Sequence, residues 1–233
     1  MRTIETTLYQ FDKLSDEAKA KALDQCRDWS TDYDWWEYQF ENFAERMSKH
    51  GYDIDPAKDI HFSGFWSQGD GACFKGTFRF GHDKTATLLP CDLVAKIELL
   101  NAKMRLLGWP VPIELEISGG IGTSGRCSHS GTMSVDKLDI YPMPQDFGRC
   151  NLGGECDCTP GVPEACDQVE AIVEAIDAAY ASVEEAIRDE ARSFASDLYS
   201  LLQEEYEYLT SDEHIAETIR ANEREFTEEG ELA

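Results

Sequence analysis

Between Glu164 and Tyr208 the sequence reads EACDQVEAIVEAIDAAYASVEEAIRDEARSFASDLYSLLQEEYEY. Its apolar side chains recur at spacings of three, four and seven residues, as they do along one face of an α-helix. These side chains are Val169, Ile172, Val173, Ile176, Tyr180, Val183, Ile187, Phe194, Leu198 and Leu201. One helix of this length would span about 65 Å. We therefore predict a long acidic amphipathic helix that bends, breaks, projects or pairs with a second copy in a homodimer.

The part of the chain before this helix is rich in strand patterns. In the segment Ala72–Phe80, Phe74, Phe78 and Phe80 alternate with polar residues, which is the two-residue period of a strand with one buried face. The predicted strands are Ile60–Trp66, Ala72–Phe80, Ile113–Ile117 and His129–Ile140, with the glycine-rich Ser118–Gly125 linking the last two. The turn residues Gln68–Gly71 favour a hairpin between the first two strands.

Helices are predicted on both sides of these strands. The N-terminal part has a strand pattern over Thr3–Phe11 and an N-cap serine before an acidic first turn. The first predicted helix begins after Ser15. Three others run from about Asp34 to Lys49, from about Asp92 to Leu107 and from Glu213 to Asn222. We expect the acidic tail after the last helix to be frayed. The sequence thus predicts an α+β protein with a small antiparallel sheet packed against helices. We divide it into an α+β core, residues 1–160, and an acidic helical region, residues 164–233, that packs on the core or projects from it.

The charge of the chain excludes some classes of partner. The net charge is −25, and residues 164–233 hold 21 acidic and 4 basic side chains. Because a phosphate backbone would be repelled, we expect no direct binding of nucleic acid. The sequence has no apolar run of the ~20 residues that a membrane helix needs, and from the residues Met1–Gln10 we expect no secretory signal. We therefore expect a cytoplasmic protein that does not bind membranes, with reduced thiols.

Acidic and aromatic residues suggest where a basic protein would bind. Aromatic rings and carboxylates both attract guanidinium groups. The candidate partner-binding residues are Asp32, Asp34, Trp35 and Glu37, together with Glu184, Glu185, Glu204, Glu205 and Glu207 in the long helix. The alternative is a solvated helix face, with Trp36 in the core and Trp35 at its half-buried edge.

The predicted hairpin supplies a second candidate site. Its turn could form a pocket from Trp66, Ser67, Gln68 and Asp70, with His129 nearby. A small hydrolase-like enzyme would use the Ser67–Asp70 hairpin with His129, and one possible set of catalytic groups is Cys73, His129 and Asp70. Alternatively, the aromatic residues belong to the core and Gly69-Asp70-Gly71 is ordinary turn chemistry. We favour binding over catalysis.

Four cysteines near the start of the long helix are candidate metal ligands. They are Cys150, Cys156, Cys158 and Cys166, spaced C-x5-C-x-C-x7-C. Structural zinc prefers four sulfur or nitrogen ligands, but usually in pairs with standard spacings. We expect no cofactor and free thiols here, with structural zinc as the alternative.

Several segments together resemble a known group of proteins. They are Leu8–Lys19, the string FSGFWSQGDGACF at Phe62–Phe74, His129–Met133, and Tyr206–Glu213 with its continuation to Phe226. The chain resembles small acidic proteins of tailed bacteriophages and prophages that are often labelled "antitoxin of a toxin–antitoxin stability system". The resemblance covers most of the chain and implies no catalytic residues.

This resemblance suggests a function. Phages carry acidic proteins that block the DNA or RNA channels of host defence enzymes. We therefore expect an inhibitor, of the anti-CRISPR or anti-restriction type and including DNA mimicry, that binds a basic protein or nucleoprotein complex in the host bacterial cytoplasm. The alternatives are an antitoxin that sequesters a cognate toxin and the small hydrolase described above.

Overall fold

The computed structural model describes residues 7–106, 114–125, 128–141 and 163–233, without the side chains of 103–106 and 163–170. It has the expected α+β fold. The α-helices are α1 (Asp16–Gln25), α2 (Glu37–Lys49), α3 (His82–Leu88), α4 (Cys91–Leu106), α5 (Pro163–Leu209) and α6 (Asp212–Ala221). The strands are β1 (Tyr9–Gln10), β2 (Tyr52–Asp53), β3 (Ile60–Ser63), β4 (Gly71–Phe74), β5 (Gly76–Phe80), β6 (Glu116–Thr123), β7 (Met133–Tyr141) and β8 (Glu225–Phe226).

The chain forms two compact units whose boundaries fall inside α2 and α5. Unit 1 comprises Met1–Phe40 and Leu198–Ala233, and unit 2 comprises Glu41–Asp197. Each unit therefore contains residues from both of the regions, 1–160 and 164–233, into which the sequence divides. The reason is that α5 is one long helix and contributes residues to both units.

Unit 1 is built from the two ends of the described chain. Strand β1 pairs antiparallel with β8, with Tyr9 opposite Phe226. Phe226 is fully buried in an apolar cluster that includes Phe11, Leu14 and Ile219. The expectation of a frayed tail is therefore wrong, because Phe226 anchors the segment that follows α6. Residues 3–6 of the predicted strand Thr3–Phe11 lie outside those described, and within the rest only Tyr9–Gln10 is strand, because β1 gives way to a single 3-10 turn at Phe11–Lys13.

Unit 2 contains the main antiparallel sheet. Its strand order is β2-β5-β6-β7, and β3 and β4 form a separate hairpin. One face of the sheet is buried through Phe78, Phe80, Ile117, Leu138 and Ile140. The rings of Phe78 and Phe80 stack with their centroids 5.0 Å apart. The small antiparallel sheet that the alternating pattern predicts is confirmed.

The predicted strand Ala72–Phe80 is two strands that belong to different sheets. Strand β4 ends at Phe74, and β5 begins at Gly76. A Cβ atom at Gly76 would lie 2.4 Å from the carbonyl oxygen of Asp53. Only glycine permits β2 to approach the chain this closely. The period-two pattern continues through the break, which is why the sequence alone did not reveal it.

The glycine-rich segment after Ile117 is strand and not a link. Strand β6 runs to Thr123 and pairs with both β5 and β7. A Cβ atom at Gly119 would lie 2.1 Å from the carbonyl oxygen of Lys137 and 2.5 Å from the Phe78 ring. Glycine is required here by close packing within the sheet and not by a turn.

The long helix α5 is continuous over its 47 residues, which at ~1.5 Å per residue is about 70 Å. In unit 2 its buried face includes Val183, Ile187, Ala191 and Ala195, all fully shielded from solvent. Two of these four residues are alanines, which allow the helix backbone to approach its neighbours closely.

Polar side chains of α5 also bond to the edge strand of the sheet. The Tyr180 hydroxyl donates to the Leu138 carbonyl oxygen at 3.0 Å. The Arg192 guanidinium donates to the Met133 carbonyl oxygen at the same distance. These bonds satisfy carbonyl groups of β7, the strand at the edge of the sheet, and help to fix α5 in register with it.

Candidate functional site: an acidic and tyrosine-rich surface

In unit 1 the segment that leads into α2 lies along the C-terminal end of α5. The rings of Trp35 and Tyr206 pack with centroids 5.8 Å apart. The Gln39 side-chain amide donates to the Glu205 carboxylate at 3.3 Å. The structure thus brings together the two separate segments of acidic residues, 32–37 and 204–207, that the sequence nominates.

Two further contacts hold the start of this segment. Arg27 donates to the carbonyl oxygen of Thr210 at 2.9 Å and pairs with Asp212 at 3.0 Å. The Ser30 hydroxyl lies 3.1 Å from Nε2 of His214. The chain from Arg27 to Gln39 is therefore fixed at both ends against the end of α5 and the start of α6.

We call the exposed residues of these two segments the acidic–tyrosine surface. They are Asp32, Tyr33, Asp34, Glu37, Tyr38, Glu204, Glu207 and Tyr208, all solvent-exposed. Trp35 itself is buried. It packs within the unit and cannot contact a partner, so the aromatic groups available there are tyrosines. The Trp36 ring, by contrast, is only half-buried, which reverses the expected placing of the two tryptophans.

The carboxylates of the acidic–tyrosine surface form no ion pair among the residues that the structure describes. Glu207 accepts a hydrogen bond from the neutral Gln203 amide at 2.9 Å. The sequence explains the lack of cations: no lysine or arginine occurs between Arg27 and Arg46, or between Arg192 and Arg220. No described cation therefore pairs directly with these carboxylates, and their charges add to one negative surface.

Two of the sequence-nominated glutamates differ from the rest. Glu184 and Glu185 belong to unit 2 and pair with Arg188 at 3.9 and 3.5 Å. They lie in the same helix as Glu204, but their charge is partly compensated within the helix. We therefore place them outside the acidic–tyrosine surface and use them as a matched control below.

A polar network in unit 2 was not foreseen from the sequence. The Tyr52 hydroxyl donates to the Glu190 carboxylate at 2.7 Å, and Lys84 pairs with the same oxygen at 2.9 Å. The Lys84 ammonium also lies 3.8 Å from the centroid of the Phe80 ring. Burial, with the nearby Glu190 carboxylate, raises the pKa of Tyr52 far above its usual value. The sequence feature that could have indicated this network is Glu190, an acidic residue that directly precedes the buried Ala191.

The β3–β4 hairpin presents an exposed tryptophan. The Asp70 carboxylate accepts hydrogen bonds from the backbone N–H groups of Trp66 at 3.0 Å and Ser67 at 2.7 Å. The Trp66 side chain is 73% exposed, and Ser67 and Gln68 are exposed beside it. Asp70 thus serves the turn, as the turn-chemistry alternative predicts, while Trp66 lies outside the core.

His129 packs on this hairpin but is engaged by the backbone. Its Nδ1 accepts the Gly131 N–H at 2.8 Å, which places the proton of a neutral ring on Nε2. A Cβ atom at Gly71 would lie 2.9 Å from His129 Cδ2, so glycine is needed where the ring approaches the strand. The role that this geometry assigns to His129 is to pack against β4.

The thiol of the hydrolase hypothesis is poorly activated. Cys73 is buried, and its burial raises the pKa of its thiol, although a hydrogen bond with Ser128 acts in the opposite direction. A thiol with a raised pKa is protonated at neutral pH and is a weak nucleophile. The cysteine, histidine and aspartate of that hypothesis lie in one region, and burial of Cys73 disfavours its thiolate form.

The zinc hypothesis falls on residues outside those described. Cys150, Cys156 and Cys158 lie in the undescribed segment, and Cys166 lies in the part of α5 whose side chains are not described. Elsewhere, the side chains that the structure does place include no group of three or more histidines, cysteines or acids that could hold a metal ion.

An open cleft of about 580 Å³ runs along α1 in unit 1. It is lined in part by Lys19, Lys21 and Arg27. Each of these cations already has a carboxylate partner: Lys19 has Asp16, Lys21 has Glu231, and Arg27 has Asp24 and Asp212. The cleft therefore does not offer free positive charge to an anionic ligand.

The fold and surface define a class of protein: an acidic α+β protein with an uncompensated anionic surface. Within the described ranges, no helix combines the length and apolarity required to cross a bilayer. The chain belongs to the family described as domain of unknown function DUF8835, whose model matches residues 35–212. Comparisons with curated proteins and with solved structures gave no match.

Proposed function

We propose that this protein works by binding a cationic protein or nucleoprotein complex of a bacterial host, one that acts on nucleic acid, and blocks its access to DNA or RNA. The observation that carries the proposal is the set of carboxylates on the acidic–tyrosine surface that have no ion-pair partner among the described residues. Exposed charges of one sign steer an oppositely charged partner and speed association.

The spacing of the acids on α5 supports competition with nucleic acid. The two exposed acids Glu204 and Glu207 share about one helical turn, which is ~5.4 Å of the axis. This is one charge per ~2.7 Å, of the same order as the one charge per ~1.7 Å of duplex DNA. The match extends over a single turn, so the carboxylates of segment 32–37 would be needed to cover a longer cationic channel.

The first experiment isolates partners from host lysate at low and high salt and then measures the association rate with each purified partner. We expect binding to weaken steeply with salt and the partner to lose nucleic-acid binding in a gel-shift assay. The variant Glu204→Gln/Glu207→Gln should slow association more than Glu184→Gln/Glu185→Gln, which removes the same charge from residues already paired with Arg188.

Three outcomes separate the candidate functions. Equal inhibition by wild type and the Glu204→Gln/Glu207→Gln variant, at every salt concentration, would contradict the proposal. Capture of a small cationic toxin, with rescue of growth on co-expression, would assign the antitoxin function to the same surface. Turnover of ester or amide substrates that is lost in Cys73→Ala and His129→Ala would favour the hydrolase alternative.

A further inference from the structure

Three tyrosine rings are exposed within unit 1 on the acidic–tyrosine surface. Tyr33 is 59% exposed, Tyr38 is 68% exposed and Tyr208 is 56% exposed. Exposed aromatic rings grouped on one surface are a common mark of a protein-binding site. The rings bind a partner through their aromatic faces, whereas the carboxylates bind it through charge. The tyrosines therefore restrict the chemistry of the partner further than charge alone does.

The backbone that carries the rings is held in place. Tyr208 packs on the His214 ring with centroids 4.8 Å apart, and His214 bonds to Ser30. Tyr38 precedes Gln39, which bonds to Glu205 of α5. A surface whose backbone is already held in place loses less conformational entropy when a partner binds.

The surrounding charge decides which occupant fits these rings. A second copy of the chain would bring like carboxylates together, and nucleic acid would add phosphates to an anionic surface. A cationic protein segment is attracted instead. Among cations, the arginine guanidinium is planar and weakly hydrated, so it can stack on a tyrosine face while its N–H groups donate to carboxylates.

We propose that the acidic–tyrosine surface recognises arginine side chains of a protein partner, with Tyr33, Tyr38 and Tyr208 as stacking faces and the neighbouring carboxylates as hydrogen-bond acceptors. This inference rests on the proposed function, because it names the chemistry of the partner at the same surface. It makes a claim that charge alone does not: arginine is preferred over lysine at equal charge.

The experiment uses the full chain and two synthetic peptides of equal length and charge, an arginine–glycine repeat and a lysine–glycine repeat. Titration calorimetry across a range of salt concentrations gives both affinities. We expect the arginine peptide to bind more tightly, by roughly two- to five-fold for each ring engaged. The variant Tyr33→Leu/Tyr38→Leu/Tyr208→Leu should bring the affinity ratio close to one and leave the salt dependence unchanged.

Two control variants separate stacking from folding. The Tyr→Phe changes at the same three positions keep an aromatic face and should retain most of the preference for arginine. Tyr141→Leu, which alters an exposed tyrosine of β7 in unit 2, should change neither affinity. Thermal melts of all variants identify any that fails to fold, and the Phe variant then provides the test.

The outcomes distinguish this inference from the function on which it rests. Salt-dependent binding of both peptides with equal affinity in the wild type would overturn the arginine preference and leave the proposed function standing. A preference that survives the three Tyr→Leu changes would also overturn it. If neither peptide binds in a salt-dependent way, the proposed function itself is contradicted.

Discussion

At the scale of single residues, Tyr52 shows how unit 2 buries a charge. Its hydroxyl and the Lys84 ammonium both bond to one oxygen of Glu190, and Lys84 also donates to the His50 carbonyl oxygen at 3.0 Å. A half-buried carboxylate is tolerated only when such partners satisfy it. The three side chains connect β2, α3 and α5 within the unit, so each should contribute to its stability.

We predict that Tyr52→Phe lowers the free energy of unfolding by roughly 1–2 kcal/mol at neutral pH, because Glu190 loses a hydrogen-bond donor. The raised pKa of Tyr52 also predicts a dependence on pH. A group with a pKa raised by folding contributes fully below its unfolded pKa, about 10 for tyrosine, and its contribution falls as the pH rises above that value.

Urea denaturation of wild type and Tyr52→Phe between pH 7 and 11 checks this prediction. The difference in unfolding free energy should be constant up to about pH 9 and shrink above about pH 10. Tyr9→Phe is the control, since Tyr9 lies in the other unit. A Tyr52→Phe protein with wild-type stability at pH 7 would contradict the proposed hydrogen bond.

At the scale of elements, β6 shows what glycines do inside a strand. Gly119 faces the Lys137 carbonyl and the Phe78 ring at distances too short for any side chain. A Cβ atom at the adjacent Gly120 would instead lie 3.8 Å from the Gly76 carbonyl oxygen, which is ordinary contact. Adjacent residues of a strand point to opposite faces of the sheet. A side chain at position 119 would therefore lie in different surroundings from one at position 120.

We predict that Gly119→Ala destabilises the protein by roughly 1–3 kcal/mol, because β7 and the Phe78 ring must move to make room. Gly120→Ala should be close to neutral. Thermal melts of the two variants, which differ by one position in sequence, provide the measurement. Equal melting temperatures would show that β7 does not approach Gly119 as closely as described.

The elements that the sequence predicted correctly are those with a long or capped pattern. Helix α5 was predicted within one residue at each end, because its apolar period persists for about nine turns. The N-cap Ser15 also lies where expected. The failures occur where long-range packing decides the local structure: the glycines of β6 read as a link, and Phe226 read as part of a frayed tail.

The site was only partly predictable for the same reason. The acids at 32–37 and 204–207 were nominated because charge runs are visible in sequence. Their proximity depends on the contact between Trp35 and Tyr206, which joins residues distant in the chain. The pairing of Glu184 with Arg188 follows an i,i+4 spacing and could have been found from the sequence.

At the scale of the whole molecule, a net charge of −25 opposes the compact state through self-repulsion. Salt screens exposed charges within a Debye length of about 8–10 Å. We therefore predict that the melting temperature rises between 20 and about 300 mM sodium chloride. A melting temperature that falls over this range would contradict the view that unpaired carboxylates dominate the electrostatics.

The two glutamate pairs used above should affect stability with opposite signs. Glu204→Gln/Glu207→Gln removes like charges three residues apart and should raise the unfolding free energy at low salt by roughly 0.2–0.5 kcal/mol. Glu184→Gln/Glu185→Gln removes the partners of Arg188 and should lower it by a similar amount. Thermal or urea unfolding at 20 mM salt compares the two variants directly.

The pairing of β1 with β8 has a consequence for how this protein folds during translation. Tyr9 is translated long before its pairing partner Phe226. The same holds for Asp12 and Arg220, which pair although they are 208 positions apart. Unit 1 therefore cannot be completed until the chain as far as Phe226 has been translated, and until then the apolar side of α1, with Ala18 and Ala22, lacks part of its cover.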